Sequence, residues 1–112
     1  MGLAVAGCSG GGSGEAPGGD TELTVRRFDG DRLVKATPLT DCDSGDGTCA
    51  RVVAVLPRLR PEPDEVCTEI YGGPERMTVE GTLYGDPYSM EVTRADGCQI
   101  ARYDLLAEAL RG

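Results

Sequence analysis

Val66-Cys67-Thr68-Glu69-Ile70-Tyr71 is closed by Gly72-Gly73-Pro74 and followed by Met77-Thr78-Val79-Glu80-Gly81-Thr82-Leu83. The hexapeptide carries β-branched residues and a half-cystine near its start. It predicts an extended, exposed segment with a covalent tether. Gly72-Gly73-Pro74 ends it, because neither Gly nor Pro sustains a strand interior. From Arg76 the pattern alternates, with Met77, Val79 and Gly81 on one face, which predicts a strand over 76–83. Tyr84-Gly85-Asp86-Pro87 turns the chain. Residues 88–94 return as a partner strand with Tyr88, Met90 and Val92 on one face, completing a hairpin.

Upstream, residues 21–28 alternate, with Leu23 and Val25 facing one way and Thr24 and Arg26 the other. Asp29-Gly30-Asp31 is a turn signal, and 33–40 reads as the returning strand. Pro38 assigns that strand to an edge or a bulge. A helix is expected over 48–56, capped by Thr48, with Val52, Val53, Val55 and Leu56 on its apolar face and Pro57 at its end. Residues 58–65 hold Pro61 and Pro63 and read as extended. Asp96-Gly97 turns the chain into Cys98. Residues 100–111 predict a second helix with Ile100, Tyr103, Leu106, Ala107 and Leu110 on one stripe. The result is an α+β class: hairpins of an antiparallel sheet with two helices packed on one face.

The chain has 112 residues, enough for one small domain with a modest core, and its aromatics are four Tyr and one Phe, with no Trp. A Val, Leu and Ile core of that size calls for covalent staples. The net charge of −8 excludes nucleic acid as a partner, since nothing would neutralise phosphates. The chain contains no His, which removes His-based triads and His-ligated metals. No paired carboxylates or general base stand out, so an enzyme is not expected, and neither is a cofactor. Asp41, Asp43 and Asp46 crowd one turn, but the EF-hand spacing fails, and the turn reads as acidic surface with no metal.

Five Cys stand at 8, 42, 49, 67 and 98. Val5-Ala6-Gly7-Cys8 resembles the lipobox of bacterial lipoproteins, in which the Cys thiol receives a diacylglyceryl group. Residues 1–8 are therefore expected to be the end of a truncated signal peptide whose basic start lies upstream of Met1. Half of the twelve residues 9–20 are Gly, a composition that buries nothing and reads as a flexible linker. Residues 21–112 then form the domain. Lipid on Cys8 would place it on the extracellular face of the bacterial cell membrane, or leave it secreted without that anchor. It would also leave four cysteines for the domain, which admit three pairings.

The spacing Cys42, Cys49, Cys67, Cys98 resembles the bacterial subtilisin-inhibitor family. So does Cys67-x-x-Ile70-Tyr71 followed by Thr78-Val79-Glu80-Gly81, and so do the approach to Cys98 and the helix after it. The resemblance covers residues 21–112 and is most specific over 67–101. It implies a two-layer sandwich of about five antiparallel strands with two helices on one face, disulfides Cys42–Cys49 and Cys67–Cys98, and a homodimer. It implies a standard-mechanism inhibitor of an extracellular serine protease, with 66–71 as the reactive-site loop and Glu69–Ile70 as the reactive bond. Glu69 would enter the primary specificity pocket, with Thr68 before it and Ile70 and Tyr71 on the leaving side. The family usually shows Met or Lys where Glu69 stands. A carboxylate forced unpaired into an apolar pocket costs several kcal/mol, so the expected target is a Glu-selective protease. The competing expectation is a non-inhibitory envelope lipoprotein domain serving as a binding or spacer module.

Overall fold

The computed structural model describes residues 20–40, 42 and 47–112. Cys8 with its lipobox, linker residues 9–19, and Asp41, Asp43 and Asp46 of the acidic turn lie outside them. The described elements are β1 (Glu22–Asp29), β2 (Arg32–Leu39), α1 (Thr48–Val55) continued by a 3₁₀ turn (Leu56–Leu59), β3 (Glu75–Leu83), β4 (Asp86–Val92) and α2 (Gly97–Arg111). Among the described residues, no helix is long and apolar enough to cross a membrane.

The strands form one antiparallel sheet in the order β2-β1-β3-β4. Directly opposed residues share a face. Val25 therefore stands beside Val79, which stands beside Met90, and Met77 stands beside Val92. Leu23, Val25, Leu39, Met77, Val79 and Val92 are buried on that face. Cys49, Val52, Leu56, Leu59, Leu106 and Ala109 from the helical layer close the same core from above. The opposite face is polar, with Arg26 paired to Glu80 and Arg76 paired to Glu91.

Where the resemblance implied about five strands, the sheet has four among the described residues. The exposed extended segment 66–71 lies between Pro61, Pro63 and the Gly72-Gly73-Pro74 stop, and residues 65–73 are in no strand. The Pro38 inference is met at the sheet edge, since among the described residues β2 has only β1 beside it. The bulge lies elsewhere: the register passes from Arg27 opposite Lys35 to Phe28 opposite Leu33, which leaves Val34 as the extra residue. The two-residue β3–β4 turn is Tyr84-Gly85, both at positive φ (52° and 89°), as the I′ hairpin geometry requires.

The helices also differ from expectation at their starts. The N-cap of α1 is Gly47, not Thr48. Asp96 does not merely turn the chain but caps α2, its side chain accepting from the Gln99 amide at 2.9 Å. That capping starts the helix at Gly97 and draws Cys98 into its first turn. The buried positions of α2 are Arg102, Leu106 and Ala109. Ile100, Tyr103, Ala107 and Leu110 flank them at intermediate exposure. Arg51 of α1 donates from Nε to the carbonyl of Ala109 at 3.0 Å, joining the two helices at the carbonyl-rich end of α2.

Candidate functional site

Two disulfides link the domain. Cys42–Cys49 ties the start of α1 to the end of β2, with Cα atoms 4.8 Å apart. Cys67–Cys98 ties the 66–71 segment to the first turn of α2, with Cα atoms 5.3 Å apart. Both separations are ordinary for the bond. Glu65, Cys67 and Cys98 bring three potential metal-ligating atoms within 4.8 Å of one another. The two sulfurs are bonded to each other, so neither offers a thiolate.

Around this staple the chain is held at discrete points. The Gly97 amide donates to the Thr68 carbonyl at 2.9 Å, and the Gly72 amide donates to the Arg94 carbonyl at 2.7 Å. Thr68 to Gly72 thus runs antiparallel past Arg94 to Gly97, bonded at both ends and free in the middle. Five residues face four across that span, so the middle must bow outward. Val66 is 94 % exposed, Ile70 59 % and Tyr71 70 %, and Thr68 and Glu69 are exposed as well. Among the described residues, the Glu69 carboxylate has no hydrogen-bond or ion-pair partner.

Each flank of this bow has its own support. On the side before Cys67, Arg102 donates from Nη2 to Oε1 of Glu65, and Glu65 Oε1 also accepts from the Glu62 amide at 3.3 Å. The Arg102 side chain is 10 % exposed. Its hydrogen bond holds the Glu65 carboxyl below the usual carboxylate range, ahead of the smaller help from Glu62 and against the opposing effect of burial. On the far side, Arg94 donates from Nε to the Gly72 carbonyl at 3.1 Å and from Nη1 to Asp104 at 3.0 Å. Its guanidinium lies over the Tyr103 ring, 5.0 Å from the centroid. Burial in that stack pushes the Tyr103 hydroxyl up.

No family model and no curated protein matches the sequence. Among solved structures the chain is similar to one from the crystal structure of Streptomyces caespitosus sermetstatin in complex with Bacillus licheniformis subtilisin. The identity is 19 %, the match covers 80 % of this chain and 94 % of that one, and the TM-score is 0.48.

The structure therefore gathers Thr68, Glu69, Ile70 and Tyr71 on one exposed bow with Cys67 at its base, while Val66 projects separately before the staple. Four supports escaped sequence reasoning. Arg94 reads as the polar end of a strand, and Gly97 reads as half of a turn. Glu65 sits among prolines, and Arg102 interrupts an apolar stripe. One signal was available: Arg102, Leu106 and Ala109 recur at i, i+4 and i+7, which marks Arg102 as inward-facing and in need of an acid.

Proposed function

We propose that this domain is a substrate-like inhibitor of an extracellular serine protease, with Glu69–Ile70 as its reactive bond. The observation that carries this reading is the bow itself: a short peptide fixed at Thr68 and Gly72 with its three middle residues presented to solvent. A protease binds peptides by pairing them to its own edge strand. Ordering about six free residues costs roughly 1–2 kcal/mol each in backbone entropy. A segment already held avoids much of that cost, and such preorganisation, more than contact area, makes binding tight.

Glu69 specifies the target. Its unpaired carboxylate calls for a pocket with a cation or several donors, because an apolar pocket would leave it unsatisfied. The matching enzyme is a Glu-selective serine protease. When its serine hydroxyl attacks the Glu69 carbonyl carbon, the bond to the Ile70 nitrogen breaks and that nitrogen takes a proton. The amine then stays close, so resynthesis competes with attack by water.

The same reading takes Cys8 as the lipid-bearing residue, residues 9–20 as the tether, and the chain as a homodimer on the extracellular face of the membrane. Detergent-phase partitioning that is lost in Cys8→Ala tests the anchor, and sedimentation tests the dimer. For the inhibitor, a panel of serine proteases including a Glu-selective one is titrated with the full chain. Nanomolar inhibition of the Glu-selective member supports the reading. A panel untouched at micromolar protein refutes it in favour of a binding module.

A further inference from the structure

We infer that Arg94 is a positioning residue that keeps the leaving half of the cleaved bow in place for resynthesis of the Glu69–Ile70 bond. The inference rests on the inhibitor reading and deepens it.

Cys67–Cys98 holds only the acyl half of the bow. The leaving half begins at the new Ile70 amine and runs through Tyr71, Gly72, Gly73 and Pro74. Gly73 has a φ of +122°, in the region that favours glycine. The next backbone anchor is the Pro74 carbonyl, which accepts from the Gly30 amide at 3.1 Å. Between amine and anchor the hold is Arg94. Its carbonyl takes the Gly72 amide, and its Nε grips the Gly72 carbonyl, so both polar groups of one peptide residue are fixed by one side chain and its own backbone. Asp104 and the Tyr103 ring keep the guanidinium in that position. Gly72 is pressed close to this surface: a Cβ there would lie 2.8 Å from Ile100 Cδ1 and 3.1 Å from Arg94 Cβ.

In resynthesis the Ile70 amine attacks the acyl ester on the protease, the Glu69–Ile70 bond reforms, and the serine oxygen leaves and recovers its proton. Its rate depends on how often the amine finds the ester. With Gly72 held, two residues separate the amine from its anchor. With Gly72 free, the tether runs to Pro74 and doubles. The local amine concentration then falls by about threefold for a flexible chain and about eightfold for a stiff one.

The test incubates the full chain with a catalytic amount of a Glu-selective serine protease. The intact-to-cleaved ratio is followed by mass spectrometry, starting from both intact and pre-cleaved protein. For the unsubstituted chain both starts converge on one ratio. Arg94→Ala removes the bond to the Gly72 carbonyl but keeps the backbone bond from the Gly72 amide, so it should lower that ratio by up to about threefold to eightfold, the value for a fully released Gly72, and shorten inhibition. Arg94→Lys, which keeps one cationic donor, should fall between. Asp104→Ala loosens the guanidinium without touching the bow and should shift the ratio in the same direction. Melting temperatures of the intact and cleaved forms are measured alongside: a merely structural loss lowers both together and leaves the ratio unmoved. Unchanged ratios in Arg94→Ala and Asp104→Ala, with inhibition by the unsubstituted chain intact, would overturn the role of Arg94 alone. Failure of the unsubstituted chain to be cut or to inhibit would overturn the inhibitor reading, and this inference with it.

Discussion

Gly97 donates its amide to the carbonyl of Thr68 at 2.9 Å, and nothing but a hydrogen fits between the two residues on the side-chain side. A Cβ on Gly97 would stand 2.0 Å from Thr68 Oγ1 and 3.3 Å from Thr68 Cβ. Gly97 is the first residue of α2, outside the helix interior where Ala outdoes Gly by about 1 kcal/mol. Gly97→Ala should therefore change the melting temperature little while displacing Thr68 and weakening inhibition about tenfold or more, a shift of about 1.4 kcal/mol. Adding Thr68→Ala removes the clashing oxygen and should restore part of the loss. Equal inhibition by Gly97→Ala and the unsubstituted chain would show that the Thr68 contact does not set the bow.

Glu69 governs which protease is recognised. Glu69→Met should abolish inhibition of a Glu-selective enzyme and create inhibition of a subtilisin-type enzyme, since an apolar pocket no longer has to desolvate a charge. Inhibition constants measured against both enzymes decide this. A Met variant with the selectivity of the parent would place recognition outside residue 69.

Opening the Cys67–Cys98 staple separates fold from function. The bridge spans 31 residues, and a loop of that length gives about 3–4 kcal/mol of stabilisation. Cys67→Ser/Cys98→Ser should lower the denaturation free energy by about that amount. Inhibition should fall further than stability alone explains, because the acyl half of the bow loses its covalent tie to α2.

The Glu65–Arg102 pair predicts an acid-sensitive flank. The Glu65 carboxyl lies below its ordinary value of 4.5, with the Arg102 hydrogen bond as the leading cause. A depressed carboxylate contributes stability that is fully present above the unfolded-state value and is lost as pH falls through the folded-state value. Thermal stability followed from pH 7 downward should thus begin to drop below about pH 4.5. In Glu65→Gln the baseline should be lower and that part of the acid slope should be missing. An identical pH profile in the two proteins would mean the pair is not maintained in solution.

The sheet was legible because alternation is a direct consequence of its pleat: Leu23 and Val25, Met77 and Val79, and Val92 each announced the buried face. That alternation marks four strands, as the sheet has among the described residues, whereas the count of about five came only from the resemblance. The start of α2 was misjudged for a different reason. Asp96-Gly97 satisfies both a turn and an N-cap, and the choice depends on Gln99 offering its amide. The bow itself could be read from Cys67 and its neighbours. Its supports could not, since Arg94, Glu65 and Arg102 act across 22, 37 and 37 residues respectively, distances over which local pattern carries no information.

The most direct test cuts the bow. The full chain is mixed with a Glu-selective serine protease at low molar ratio, and the product is weighed before and after disulfide reduction. The expected product is heavier by one water and stays in one piece until reduction frees a fragment beginning at Ile70, and the nicked protein still inhibits. Cleavage at any other bond, or rapid degradation without inhibition, would rule out Glu69–Ile70 as the reactive bond.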